Sequence, residues 1–440
     1  MFLKKINYYF FKSYHRPSAI FLHFLVFFQS FFFNKKSKII SEKFMLLKNP
    51  PASTIFYNLF GRFFIIIANF IFIFFFNKFF ESKTKIDSLS SKVKVENIGS
   101  DTSPWPKQAI HLFEKLKDLD ETCFDLIEEN YKASILSLEN SKYYKDSPWW
   151  IECREEFKNI FMNKDNSINR EEFKNFRNSK KTKAALLADQ NFLKGDLDSR
   201  LNKFKSLSLI YLYHKISEIV DINILRLSSE SYSGNNCCLN YRGQRLSHRI
   251  LRYAYYTSQI SKNVNFLDKR KKLVLDLGGG YGGLSRSLFN QFNNSTFIII
   301  EIPEVCAFAY YFLKNNYPEK KIGTFKDFNN FEKIDQFNLA KYDFVILPQT
   351  CIEKIESNII DLSINTTSIG EMDNEVQNYY MSQLERITKE YLYSVNRAKV
   401  RKDKYNAQGY YSLNFDSRWI ALIYKFSHTY HIEFLGKKND

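Results

Sequence analysis

Asp276 and Glu301 stand 25 residues apart, and each directly follows a short apolar run. Leu273, Val274 and Leu275 lead to the first acid, and Phe297 to Ile300 lead to the second. Between them, Gly278, Gly279, Gly280, Gly282 and Gly283 crowd into six positions. Glycines there let the backbone approach a ligand closely and accept positive φ. Carboxylates at the ends of buried strands offer two kinds of recognition, one for a cation and one for neighbouring hydroxyls. Leu284 to Phe292 has helical apolar spacing, so the stretch reads strand, glycine loop, helix, strand. That is half of a doubly wound nucleotide-binding sheet.

Two cofactor readings compete. Gly278, Gly280 and Gly283 fit G-x-G-x-x-G, the dinucleotide fingerprint, whereas Gly278, Gly280 and Gly282 fit G-x-G-x-G, the loop of S-adenosylmethionine (SAM) binding. Asp276 discriminates between them. A pyrophosphate on a helix N-terminus is an anion, and a carboxylate two residues before the first glycine repels it. SAM carries a sulfonium and an ammonium, which an acid attracts. Glu301 suits the ribose hydroxyls in either reading. The expectation is therefore SAM over NAD, against a third reading of a glycine turn that binds nothing.

The remaining chemistry-bearing residues cluster at later strand ends, where ligands of such sheets bind. Tyr342 to Leu347 is a strand ending at Pro348-Gln349, and Gln349 is expected to meet the adenine amino group. Asp361 to Ser368 is another strand, and Asn365 and Ser368 fall where methyl group and acceptor should meet. Glu371 is expected to begin a helix, either as a catalytic carboxylate or as an acid stabilised by the helix dipole. Tyr391 to Val395 is a further strand ending at Asn396-Arg397, and Trp419 to Phe426 with Tyr430 to Leu435 suits a closing antiparallel pair. About seven strands alternate with helices, an α/β pattern with both faces of the sheet covered. Ile322 to Phe325 is either a third strand or an extra one. The spacing favours Tyr342–Leu347 as the third and Asp361–Ser368 as the fourth.

The elements that position these residues begin far upstream. The chain has 440 residues and a net charge of +17. Residues 1–100 hold 15 Lys or Arg against 4 Asp or Glu, and 22 of the 44 Phe lie in the first 80. The basic excess thus sits on a greasy N-terminal segment instead of a folded stripe, which argues against nucleic acid as a partner. Ala19 to Phe33 and Phe63 to Phe80 are apolar runs near or below the roughly 20 residues of a bilayer span. Three readings stay open for residues 1–80: contact with an anionic cytoplasmic membrane surface, one or two spans, or compositional bias without a membrane role. Domain expectations are a Phe-rich basic segment over 1–95, a mainly helical domain over 96–232 and a cofactor-binding domain over 233–440. Within the helical part, Trp149 and Trp150 either stack on a sugar or pack between domains. Arg242, Arg245 and His248 lead into the helix before the first strand and either face the ligand or are ordinary solvated charges. Six cysteines without C-x-x-C pairs fit a reducing, cytoplasmic compartment and suggest no metal site.

The segments DLGGGYGGLSR at 276–286, EIPEV at 301–305, FVILPQ at 344–349, INTTSIGEM at 364–372 and YSVNR at 393–397 carry a resemblance. Together they resemble the sugar O-methyltransferases of bacterial surface-polysaccharide clusters, over roughly Ser233 to the C-terminus. The resemblance implies a Rossmann-like seven-stranded class I SAM-dependent fold and methyl transfer to a sugar or glycan hydroxyl. The site residues expected are then Asp276, Gly278, Gly280, Gly282, Glu301 and Gln349 for SAM, and Asn365, Ser368 and Arg245 for the acceptor. Glu371 is the first candidate general base and His248 the second. No metal is assigned, and the sequence leaves the oligomeric state open. A non-catalytic SAM-fold scaffold and an NAD-dependent sugar-modifying enzyme are the alternatives; intact strand-end acids oppose the first and Asp276 opposes the second.

Overall fold

The computed structural model describes residues 121–139, 148–177, 209–210, 212–236, 238–266, 270–372, 374–397, 418–426 and 431–439. The N-terminal segment 1–95, with both apolar runs, lies outside the described residues, as do the side chains of Trp149 and Trp150. Among the described residues no helix is long and apolar enough to cross a membrane. The chain divides into two compact units. The first comprises 1–103, 199–211 and 241–243, of which 209–210 and 241–243 are described. The second comprises 104–198, 212–240 and 244–440 and contains the main sheet.

In chain order the elements are α1 (Glu121–Glu139), α2 (Pro148–Phe161), α3 (Arg170–Lys174) and α4 (Ile222–Leu227), then β1 (Leu239–Tyr241) and β2 (Gln244–Leu246). Next come α5 (His248–Asn263), β3 (Lys272–Leu277), α6 (Gly283–Phe289), β4 (Ser295–Glu301), α7 (Pro303–Asn316) and β5 (Ile322–Gly323). After α8 (Phe325–Phe328) and α9 (Gln336–Ala340) follow β6 (Phe344–Pro348), β7 (Ile360–Thr366), α10 (Asn374–Ile387), β8 (Thr388–Arg397), β9 (Trp419–Phe426) and β10 (His431–Lys438). Short 3-10 turns at Gln349–Lys354 and Ile369–Glu371 follow β6 and β7.

The main sheet has eight strands in the order β5-β6-β4-β3-β7-β8-β10-β9. Strands β3 to β8 run parallel, and β10 pairs antiparallel with both β8 and β9. The strand expected as third, β6, lies beside β4, and the one expected as fourth, β7, lies beside β3. Seven of these strands match the expected sheet. The eighth is β5, an edge strand of two residues that spacing alone left unsettled. β3 is buried along its whole length, as an interior parallel strand covered on both faces must be. The strand order reverses at β3, which puts the glycine loop at the switch point.

The helical part is not separate from the sheet. Helices α1 to α4 belong to the same unit as the sheet, so the boundary expected at 232/233 falls inside it. Phe308 of α7 explains the union. Its ring lies 4.8 Å from those of Phe161 and Phe173 and stacks on Phe176 at 4.9 Å. Such ring pairs add to the area they bury. The helix expected from Glu371 begins at Asn374 instead, because Ile369–Glu371 closes a 3-10 turn first.

Truncating this hub should open a cavity that its ring neighbours cannot refill. Phe308→Ala is expected to cost about 3–5 kcal/mol, read as a lower urea midpoint with an unchanged slope.

Candidate functional site at the glycine loop

β3 delivers Asp276 to its carboxyl end, where burial removes the side chain from water almost entirely. Ser285 Oγ, in the first turn of α6, donates to Asp276 Oδ2 at 3.1 Å. The other oxygen, Oδ1, is buried and accepts no hydrogen bond from the protein. Burial pushes the Asp276 carboxyl up to about 7, with the Ser285 hydroxyl pulling weakly the other way. A carboxylate oxygen left bare in this way is costly unless a cation or donor meets it.

Glu301 ends β4 in the neighbouring position. Its Oε1 accepts from Gly280 N at 3.0 Å and its Oε2 from Ile302 N at 2.8 Å. Burial raises its pKa to about 7, the two backbone N–H groups lower it, and the Asp276 and Glu304 charges add to the rise. Each oxygen keeps lone-pair capacity for a further donor. Two raised carboxyls that repel each other across one loop make a site that favours positive charge.

The loop between them has the geometry that its glycines permit. Gly278, Gly280 and Gly282 all have positive φ, at 70°, 58° and 86°. A Cβ on Gly280 would meet no protein atom within 4 Å, so the space above this backbone is open. Gly278 serves differently. A Cβ there would collide with Ser368 Oγ, so the glycine is needed for packing.

That contact redefines two residues expected to bind acceptor. Asn365 is fully buried, and its Nδ2 donates to Leu277 O at 2.7 Å and to Ser368 Oγ at 2.6 Å. Ser368 Oγ also reaches Leu277 O, and Asn396 Nδ2 donates to Asn365 Oδ1 at 2.7 Å. These groups are spent on clamping β3, β7 and β8 together at the start of the loop. Thr367 between them has φ 60°, a strained value for a β-branched residue, of a kind that gathers at functional sites. Asn365 and Ser368 thus bind each other and Leu277 O at the mouth of the loop.

The other expected residues are scattered. Gln349 follows β6 directly, beyond the Glu301↔Pro348 pairing, and its Oε1 is buried without a partner. Arg245 lies over the Tyr232 ring at 3.7 Å and donates to Asn236 O, so its guanidinium is held by protein. Arg242 sits with Gly243 in a turn of positive φ between β1 and β2, with its side chain exposed. His248 opens α5 behind its N-cap Ser247, half-buried and already in contact with protein groups. The side chain of Glu371 lies outside the described residues, although its backbone closes the 3-10 turn after Ser368. Among the described residues no group of His, Cys, Asp or Glu could hold a metal ion.

Sequence reasoning missed a buried network behind the loop. Arg177 Nη2 donates to Glu230 Oε2 at 2.6 Å and to Tyr281 Oη at 3.1 Å. Ser247 Oγ donates to Glu230 Oε1. Arg177 lies 53 residues from Glu230 and 104 from Tyr281, so only the lone tyrosine among five glycines hinted at it.

The sheet order and the acid-bracketed loop define a Rossmann-like fold of the class I methyltransferase type. No family model and no curated protein sequence matches the chain. Solved structures with this fold do. Mitomycin 7-O-methyltransferase is 12% identical over 56% of this chain and 74% of its own, with a TM-score of 0.31. A SAM-dependent methyltransferase from Aquifex aeolicus is 16% identical over 52% of this chain and 98% of its own, with a TM-score of 0.29. Magnesium protoporphyrin IX methyltransferase from Synechocystis, solved with bound SAM, is 12% identical over 43% and 78%, also at 0.29. Likeness this distant leaves function to the chain's own geometry.

The raised carboxyls make stability depend on pH. A carboxyl that binds its proton more tightly when folded loses stability as pH rises between its unfolded and folded values. For Asp276 that window runs from 3.8 to about 7, and Glu301 acts in the same direction. The wild-type melting temperature should fall across this window and level off above it. Asp276→Asn should flatten much of the fall, a difference on the order of a few kcal/mol at neutral pH; parallel curves for the two proteins would contradict the assignment.

Proposed function

We propose that the chain is a SAM-dependent methyltransferase that acts on a hydroxyl of a sugar or glycan acceptor. The observation that carries the cofactor is the buried, unpartnered Oδ1 of Asp276, at the end of the strand that feeds a loop with open space above Gly280. SAM, when bound, supplies a methyl group on a cationic sulfur. Asp276 recognises its positively charged amino-acid end, and Glu301 accepts from the ribose hydroxyls. The open backbone at Gly280 permits close approach. Gln349 Oε1, buried and unpartnered, is free to accept from the adenine amino group. An NAD pyrophosphate suits the site less, because two neighbouring carboxylates would oppose it.

The acceptor class rests on the resemblance of the 364–372 and 393–397 segments to sugar O-methyltransferases of surface-polysaccharide clusters. A sugar hydroxyl is a weak acid, so a base within hydrogen-bond reach lowers the barrier. Glu371 is our candidate base. The turn that carries it starts immediately after Ser368, whose hydroxyl touches Leu277 O at the mouth of the glycine loop. His248 stands second. Alignment of acceptor and methyl by the rigid strand ends supplies much of the rate.

Titration calorimetry tests the cofactor. Wild type should bind SAM and not NAD, and Asp276→Ala and Gly280→Val should each weaken SAM binding at least about tenfold, or 1.4 kcal/mol. Unchanged affinity in both variants would remove the basis of the assignment. Once an acceptor sugar is in hand, Glu371→Gln should leave SAM affinity nearly intact and slow methyl transfer by at least about 10²-fold. A parallel loss of affinity would make Glu371 a cofactor ligand or a structural residue.

A further inference from the structure

The loop from Gly278 to Gly283 contains five glycines and one side chain, that of Tyr281. Glycine backbones are the costliest to order, so such a loop needs an anchor if it is to present a fixed surface. Tyr281 lies between Gly280 and Gly282, both left-handed, and its own side chain turns inward and is 1% exposed. Its ring meets Phe312 edge-on at 4.7 Å, and the Arg177 guanidinium lies over it at 4.6 Å from the ring centre. The same guanidinium donates to the Tyr281 hydroxyl at 3.1 Å and to Glu230 at 2.6 Å. Glu230 is fixed in turn by Ser247, the N-cap of α5, and by its own N–H on Arg245 O.

We propose that Tyr281 is a positioning residue for the glycine loop, pinned through its hydroxyl by the buried Arg177–Glu230 ion pair. The pin fixes the loop before any ligand arrives and ties it to the 228–236 segment and to α5. The effect on the ligand rests on the SAM reading above, but the pin itself does not.

Hydrogen–deuterium exchange of the free full-length protein reads the pin directly. Gly278 N donates to Ile300 O, Gly280 N to Glu301 and Gly282 N to Gly279 O, so each amide is protected while the loop holds its shape. Tyr281→Phe removes only the hydroxyl. Exchange in the 278–283 peptide should quicken about tenfold, while the β4 and β8 peptides keep wild-type rates. Glu230→Gln, placed at the other end of the network, should give the same local signature, and it decides the matter alone if Tyr281→Phe fails to fold. SAM affinity should fall several-fold in either variant. A merely structural loss would speed exchange throughout the sheet, and that outcome would overturn the proposal. So would wild-type loop exchange in a folded variant. If wild type binds no SAM, the cofactor reading fails while the exchange result still stands or falls by itself.

Discussion

The site depends on a carboxylate held out of water at the end of the central strand. Asp276 is buried with one oxygen satisfied by Ser285 and the other bare. A second acid, Glu301, is itself raised by burial, and the Asp276 charge adds to that rise. Neither group would be retained for stability, because each penalises the folded state at neutral pH. The arrangement makes sense as a preformed electrostatic well for a cation, with its energy recovered when the cation binds. Much of the surrounding structure keeps this well rigid.

Rigidity comes from both sides of the loop. On the strand side, Asn365, Ser368 and Asn396 join β7 and β8 to Leu277 through side-chain hydrogen bonds. The clamp requires glycine at 278, since any Cβ would strike Ser368. On the helix side, the Phe308 cluster fastens α2 and α3 to α7 and brings Arg177 behind the loop. The buried Arg177–Glu230 pair offers little net stability against an apolar alternative. Its value is orientation, because a planar guanidinium fixes two partners at once.

The polar residues of the site therefore divide by what they have left to offer. Asn365 has its polar groups engaged by protein. Asp276 Oδ1 and Gln349 Oε1 retain acceptors that no protein group uses. Residue type and strand-end position could not separate these two groups, because both occupy the carboxyl edge of the same sheet.

The sequence by itself determined the order of strands and helices, the switch-point glycine loop and the two acids that bracket it. It could do so because these features are local: an apolar run of strand length, a glycine cluster that tolerates positive φ, and an acid at each strand end. It also favoured β6 over β5 as the third strand, from the length of chain needed for one helix. Only the tertiary structure decided that the helical part shares one unit with the sheet, that Asn365 and Ser368 clamp Leu277, and that Arg177, Glu230 and Tyr281 meet. Arg177 and Glu230 are 53 residues apart, and Arg177 and Tyr281 are 104 apart. No periodicity or spacing records such a contact. It exists because the Phe308 cluster folds the helices onto α7, and burial then forces each charge to find the partner within reach.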